Sequence, residues 1–128
     1  MKIKKTGFTL IELLVSLTIM AIIMGLALVA FQSSRKTARD ARRKTDLEEI
    51  RSALEMCRAD TGSYPATGSF SFGGALTCGS NNYLSPVPLD PVQSGVYYYT
   101  YARLTTSTYS LCANQLEVTG LTYCVTNP

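Results

Sequence analysis

The chain has 128 residues, no histidine and no tryptophan, four cysteines, and 12 Lys/Arg against 9 Asp/Glu for a formal charge of +3. That length supports one small domain with a modest core. Without histidine the commonest general base and the mixed Cys/His zinc sites are missing, and no pair of cysteines has the short spacing of a structural zinc site. No catalytic residue, metal ligand or cofactor emerges.

In chain order, Lys2, Lys4 and Lys5 lead into Gly7-Phe8-Thr9-Leu10-Ile11-Glu12. Residues 13–31 are then apolar except for Ser16, Thr18 and Gly25. Such a run crosses a bilayer core as a helix of about 20 residues. A carboxylate at its head costs about 2.5–3.5 kcal/mol on insertion scales, so Glu12 calls for either a place at the headgroup level or a partner. A secretory signal peptide puts its cleavage site after a shorter apolar run. Leu28-Val29-Ala30 imitates such a site, but Leu28 is bulky where a small residue is preferred.

The segment Lys4-Lys5-Thr6-Gly7-Phe8-Thr9-Leu10-Ile11-Glu12-Leu13-Leu14-Val15 resembles the class III signal of type IV pilins and type II secretion pseudopilins. The resemblance implies an aspartyl prepilin peptidase that cuts between Gly7 and Phe8 on the cytoplasmic side and methylates Phe8. It leaves the apolar helix on the product and implies that Glu12 pairs with the amino terminus of a neighbouring subunit during assembly. An amine and a carboxylate are each penalised in an apolar medium, and pairing offsets part of that penalty. Buried ion pairs are best attested as devices that set register. Many pilins carry a glycine and a proline where this chain has Ala21 and Val29, so local unwinding of the stem rests on Gly25 alone.

After the span come Arg35, Lys36, Arg39, Arg42, Arg43 and Lys44, with only Asp40 against them. Counted against three leader lysines, this block would place the post-span side in the cytoplasm. The signal and the paired cysteines argue for the opposite orientation. The block reads as a solvated helix face, or as one that meets anionic headgroups and later Glu48, Glu49 or Glu55 of a neighbour. Removing the leader lysines brings the formal side-chain charge to zero, and no specific nucleic-acid partner is expected.

From Ser33 to Asp60 the pattern is helical, with Leu47, Ile50, Leu54 and Cys57 at spacings of three and four. Joined to the span this gives a helix of some 50 residues, about 80 Å long. Gly62 and Pro65 end it. Ser63–Ser94 reads mostly as loop, with Phe70 and Phe72 dipping into the core. Val96–Arg103 and Ser107–Ala113 form a hairpin across Leu104-Thr105-Thr106, and Leu121–Val125 supplies a third strand. The sheet's apolar face should cover Leu47, Ile50 and Leu54.

The fold class expected is therefore α+β. It divides into a leader (1–7), an apolar half-helix (8–31), an amphipathic half-helix (32–60) and a head (61–128). Cys57, Cys78, Cys112 and Cys124 form an even set in an exported chain and allow three pairings. The preferred one joins Cys57 to Cys78 and Cys112 to Cys124, each bridge contributing about 2–4 kcal/mol.

Gly62-Ser63-Tyr64-Pro65, Tyr83-Leu84, Pro88-Leu89-Asp90-Pro91, Tyr97-Tyr98-Tyr99 and Tyr109-Ser110-Leu111 are similar to the head of major pseudopilins and related pilins. Relatives of that kind carry an acidic calcium loop near the C-terminus. Here only Glu117 stands there, too few carboxylates for a six-to-eight-oxygen site, so no calcium is expected. All eight tyrosines lie in the head. About half should pack the sheet and helix, while the rest join Ser, Thr and Asn in a nearly uncharged surface suited to adhesion or O-linked sugars.

What the resemblance implies is a filament subunit. It starts as a single-pass protein of the inner membrane with its head outside the cytoplasm, and its partners are copies of itself, the prepilin peptidase, membrane lipid, and an assembly platform with its ATPase. The alternatives are a pseudopilin of a secretion or DNA-uptake piston and a monomeric anchored binding module.

Overall fold

The computed structural model describes residues 7–127. It contains one helix, α1 (Leu10–Thr61), and five strands: β1 (Leu76–Cys78), β2 (Asn81–Leu84), β3 (Tyr99–Thr105), β4 (Thr108–Ala113) and β5 (Tyr123–Thr126). This is an α+β arrangement of a long N-terminal helix with two small antiparallel sheets, ordered β1-β2 and β3-β4-β5. Residues up to Arg35 and residues from Lys36 onward form separate units.

In the first unit every described residue is exposed. Leu10 is 84% exposed, Leu26 71% and Val29 74%. A core helix of a soluble protein hides its apolar face. Here the side chains are apolar all round and touch no core, the pattern of a segment whose solvent is lipid or other copies of itself.

The second unit holds the head. Leu47, Ile50, Ala53, Leu54 and Cys57 recur at helical spacing and are buried to 1% exposure or less. They pack with Leu76, Val87, Tyr99, Tyr109, Leu111 and Val125, and Phe70 and Phe72 lean on the same cluster. Each fully buried Leu or Ile contributes about 1.5–3 kcal/mol. β4 alternates strictly, with Tyr109, Leu111 and Ala113 inward, because successive side chains of a strand face opposite sides. Gly62 stops the helix at φ 77°, and its N–H returns to the Arg58 carbonyl at 2.8 Å. Glycine adopts that left-handed cap without a steric penalty.

Three expectations need correction. The stretch 63–94 contains the hairpin β1-β2, with Thr77 opposite Asn82 and Cys78 opposite Asn81. Its strands are too short and polar for an alternation signal, and it turns at Gly79, whose φ is 61°. Strand β3 begins at Tyr99, because Tyr97 N–H bonds the Ser94 carbonyl and keeps residues 94–97 in a turn. The β3-β4 turn falls at Thr106-Ser107, with Thr105 paired to Thr108.

The structure joins Cys57 to Cys78 with Cα atoms 5.7 Å apart and Cys112 to Cys124 at 4.1 Å. The first bridge ties the small hairpin to α1. The second links directly opposed residues of β4 and β5.

Tyr64, Tyr99 and Tyr109 are buried, and only Tyr98 is largely exposed. The Tyr109 ring meets Tyr64 edge-on at 4.6 Å. Its hydroxyl has no hydrogen-bond partner among the described residues. A buried unsatisfied hydroxyl costs about 1–3 kcal/mol. Tyr109→Phe is therefore expected to raise thermal stability by about 1 kcal/mol. A loss of that size in the melt of the detergent-solubilised chain would show that the hydroxyl is partnered.

Candidate processing and assembly site

Gly7 and Phe8 precede the first turn of α1, and Phe8 is 82% exposed. A methyl group added at Gly7 would meet nothing within 4 Å, so steric room within the chain does not explain a glycine there. Thr9 starts the helix. Its hydroxyl accepts from Glu12 N–H at 3.3 Å, while the Glu12 carboxylate accepts from Thr9 N–H at 2.9 Å and from the Thr9 hydroxyl at 2.7 Å. This reciprocal pair is a capping box, satisfying two of the amide donors that a helix start leaves open.

Both bonds from Thr9 fall on Oε2 of Glu12. Oε1 has no hydrogen-bond partner among the described residues and stays available to a cation from outside. A shallow hollow lined by Phe8, Ile11, Glu12, Val15 and Ser16 lies beside it. The sequence held the signal for this cap, a Thr three residues before a Glu at the head of an apolar run. The reading of Glu12 as an ion-pair partner passed over it.

Residues 2–28 match the family defined as the prokaryotic N-terminal methylation motif. The chain carries the class III signal peptide of type IV pilins and pseudopilins. This motif marks a pilin-like precursor of structural type and implies processing by a prepilin peptidase, and with the exposed apolar helix it fits membrane anchoring before assembly. No curated protein and no solved structure matches the chain significantly.

The head has its own charged centre, and it corrects the reading of the basic block. Arg43 is fully buried. Its Nε and Nη2 donate to the two oxygens of Asp90 at 2.7 and 2.9 Å. Nη1 donates to Asp40 at 2.7 Å and to Glu117 at 3.0 Å, and the guanidinium lies 4.9 Å from the Tyr97 ring centre. Arg39 adds a second fork onto Glu117. Asp40 accepts in turn from the backbone N–H groups of Glu117 and Val118 at 2.8 and 2.9 Å.

Two of the six post-span cations thus point inward and clamp two loops to one turn of α1. Asp90 anchors the proline-rich loop, and Glu117 anchors the segment between β4 and β5. Arginine suits the position because its planar fork serves several carboxylates at once. Glu117, the lone acid of the C-terminal segment, is consumed by this network. Among the described residues no group of three or more His, Cys, Asp or Glu could hold a metal ion.

The network shifts its members toward their charged forms. Arg39 holds the Glu117 carboxyl down to about 2, against the burial that opposes ionisation, with Arg43 adding to the effect. Burial likewise opposes the charge on Asp40 and Asp90, yet the backbone donors and Arg43 outweigh it at Asp40, and Arg43 and the Val92 N–H do so at Asp90. Carboxylates depressed in the folded state stabilise it above their unfolded values, about 3.9 for Asp and 4.3 for Glu, and cease to do so as pH falls through the folded values. Head stability should therefore be level from pH 7 to 5 and fall from about 4.5 toward 2. Urea melts at stepped pH test this, and a fall centred near pH 6 would contradict it.

Proposed function

We propose that the chain is a structural subunit, a prepilin, of a type IV pilus-like filament. The leader (1–7) is removed after Gly7 and Phe8 is methylated. Copies then polymerise through the apolar half of the helix (8–31), while the amphipathic half (32–60) carries the head (61–128) outward. The observation that carries this reading is Glu12, a carboxylate with one oxygen unpartnered among the described residues, at the start of an apolar helix exposed on every side. An inert anchor gains from Glu12 only a helix cap, which glutamine would serve as well, whereas a polymer gains a register mark when the amine of a neighbouring Phe8 meets the charge.

Before assembly the chain is a single-pass membrane protein with its head outside the cytoplasm. Its partners in this reading are the prepilin peptidase, an inner-membrane platform with its ATPase, and copies of itself. The surface filament is the end state.

Gly7→Leu tests the first step. The variant should accumulate in membranes as an uncut chain beginning at Met1, with no filaments sheared from cells. Recovery of Phe8 as the amino terminus in this variant would overturn the processing scheme.

A further inference from the structure

The ion network around Arg43 does more than close the head, because it gathers exposed apolar residues beside exposed cations. Val118 is held at Asp40 through its own N–H, and Leu121 follows, its carbonyl accepting from Leu116 N–H at 2.9 Å. Leu89 precedes the Asp90 that grips Arg43, and it shares one cleft with Arg42 and a second with Tyr98. Tyr98 is tied to the same segment, its carbonyl accepting from Asn114 N–H at 3.0 Å. Val118 and Leu121 are 59% and 67% exposed.

Lys36 and Arg42, also exposed, have no acidic partner among the described residues. Lys44 lies over the Tyr123 ring at 5.4 Å. Asp40, Asp90 and Glu117 are engaged by Arg39 and Arg43, and Asp46 accepts from the buried Tyr99 hydroxyl at 2.8 Å. The result is one end of the head that is apolar, aromatic and cationic together, on the stretch of chain that follows the apolar span.

We propose that this end of the head docks on an anionic lipid surface, with Lys36 and Arg42 at the headgroups and Val118, Leu121 and Tyr98 at the acyl boundary. Cations next to a span attract acidic lipids, and aromatic and apolar side chains at the interface add to the hold. A protein partner of matching acidity is not required, and the combination of free cations with neutral apolar loops matches a charged headgroup layer over hydrocarbon. The docking rests on membrane anchoring and not on polymerisation, so it stands or falls apart from the filament.

The chain has no tryptophan, so a single introduced one reports cleanly. Full-length protein is placed one copy per nanodisc, with phosphatidylglycerol mixed into phosphatidylcholine or with phosphatidylcholine alone, and lipids brominated on their acyl chains act as quenchers. Leu121→Trp should be quenched in the anionic discs. Leu104→Trp is the control, because the β3-β4 hairpin is bonded to Tyr64 just past the far end of α1 and should stay unquenched. Removing one juxtamembrane charge weakens the docked state about fivefold, so adding Arg42→Gln to Leu121→Trp should lower the docked-to-free ratio by about that factor.

Equal quenching at residues 104 and 121, no quenching at either, or quenching indifferent to lipid charge would overturn the proposal. So would protection of residue 121 that appears only after copies assemble, which would assign the patch to a second copy of the chain.

Discussion

Arg43→Leu should destabilise the head by about 3–5 kcal/mol, the usual consequence of removing one member of a buried ionic network. For a domain whose whole stability is about 5–15 kcal/mol, that is a large fraction. The cost arises from what is left behind. Asp90 would lose both guanidinium bonds and stay buried at 2% exposure, with only the backbone N–H groups of Val92, at 2.9 Å, and Gln93 as its remaining donors. Asp40 would keep its bonds from the Glu117 and Val118 N–H groups, and Glu117 would keep Arg39.

Asp90 therefore carries most of the penalty, which gives a control. Replacing Arg43 and Asp90 together by Leu and Asn should recover a substantial part of the loss, because no full charge then stays buried without a partner. Arg43→Lys should fall between the wild type and Leu, since an ammonium cannot serve Asp90 with two parallel bonds. Urea unfolding of the detergent-solubilised chain, followed by near-ultraviolet circular dichroism of the buried tyrosines, reads each case. A shift of Arg43→Leu within about 0.5 kcal/mol, the range of ordinary surface substitutions, would refute the account of the network.

Replacement of Glu12 is expected to abolish filaments while the protein is still made, inserted and cut. Glu12→Leu alone is ambiguous, because the carboxylate also closes one side of the capping box with Thr9. Its loss leaves the Thr9 N–H without its acceptor while the Thr9 hydroxyl still caps the N–H of residue 12, so the helix start is weakened. Glu12→Gln separates the two roles. Glutamine serves a capping box as glutamate does, but it cannot pair with an amine as a charge. If the ion pair drives assembly, Glu12→Gln should lose filaments as completely as Glu12→Leu. If only the helix start matters, Glu12→Gln should assemble normally. Counts of sheared filaments, set against the processed protein in the membrane fraction, distinguish these results.

The parts of the fold legible in the sequence were those with strong periodicity or strong punctuation. The apolar run and the spacing of Leu47, Ile50, Leu54 and Cys57 expose α1, and Gly62 marks its end at the left-handed cap. The β3-β4 hairpin is visible in alternation, though its edges slip by a few residues where Ser94 and Tyr97 make a turn instead of a strand. The β1-β2 hairpin has no such signal, since strands of 3 and 4 residues are too short to show a period even though Leu76 and Cys78 face the core.

Cysteine spacing leaves three pairings open, and it is the register of β4 with β5 that sets Cys112 opposite Cys124. The ion network was invisible for a different reason. A run of arginines reads as a solvated face because charge in sequence normally means water. The burial of Arg43 depends on Asp90 and Glu117, which lie 47 and 74 residues further along the chain. At the N-terminus the reverse holds, because leader, glycine, capping threonine and carboxylate are contiguous and the whole candidate site lies within one short stretch.

The filament account is tested most directly by the mass of the protein sheared from the cell surface, taken intact and as its N-terminal peptide. The account predicts a chain that begins with N-methylated Phe8 and is lighter than its reduced form by four hydrogens, for the bridges Cys57–Cys78 and Cys112–Cys124. A chain beginning at Met1 would make it an uncut anchor. One beginning near Phe31 would make it an ordinary secreted protein, and either result would contradict the account.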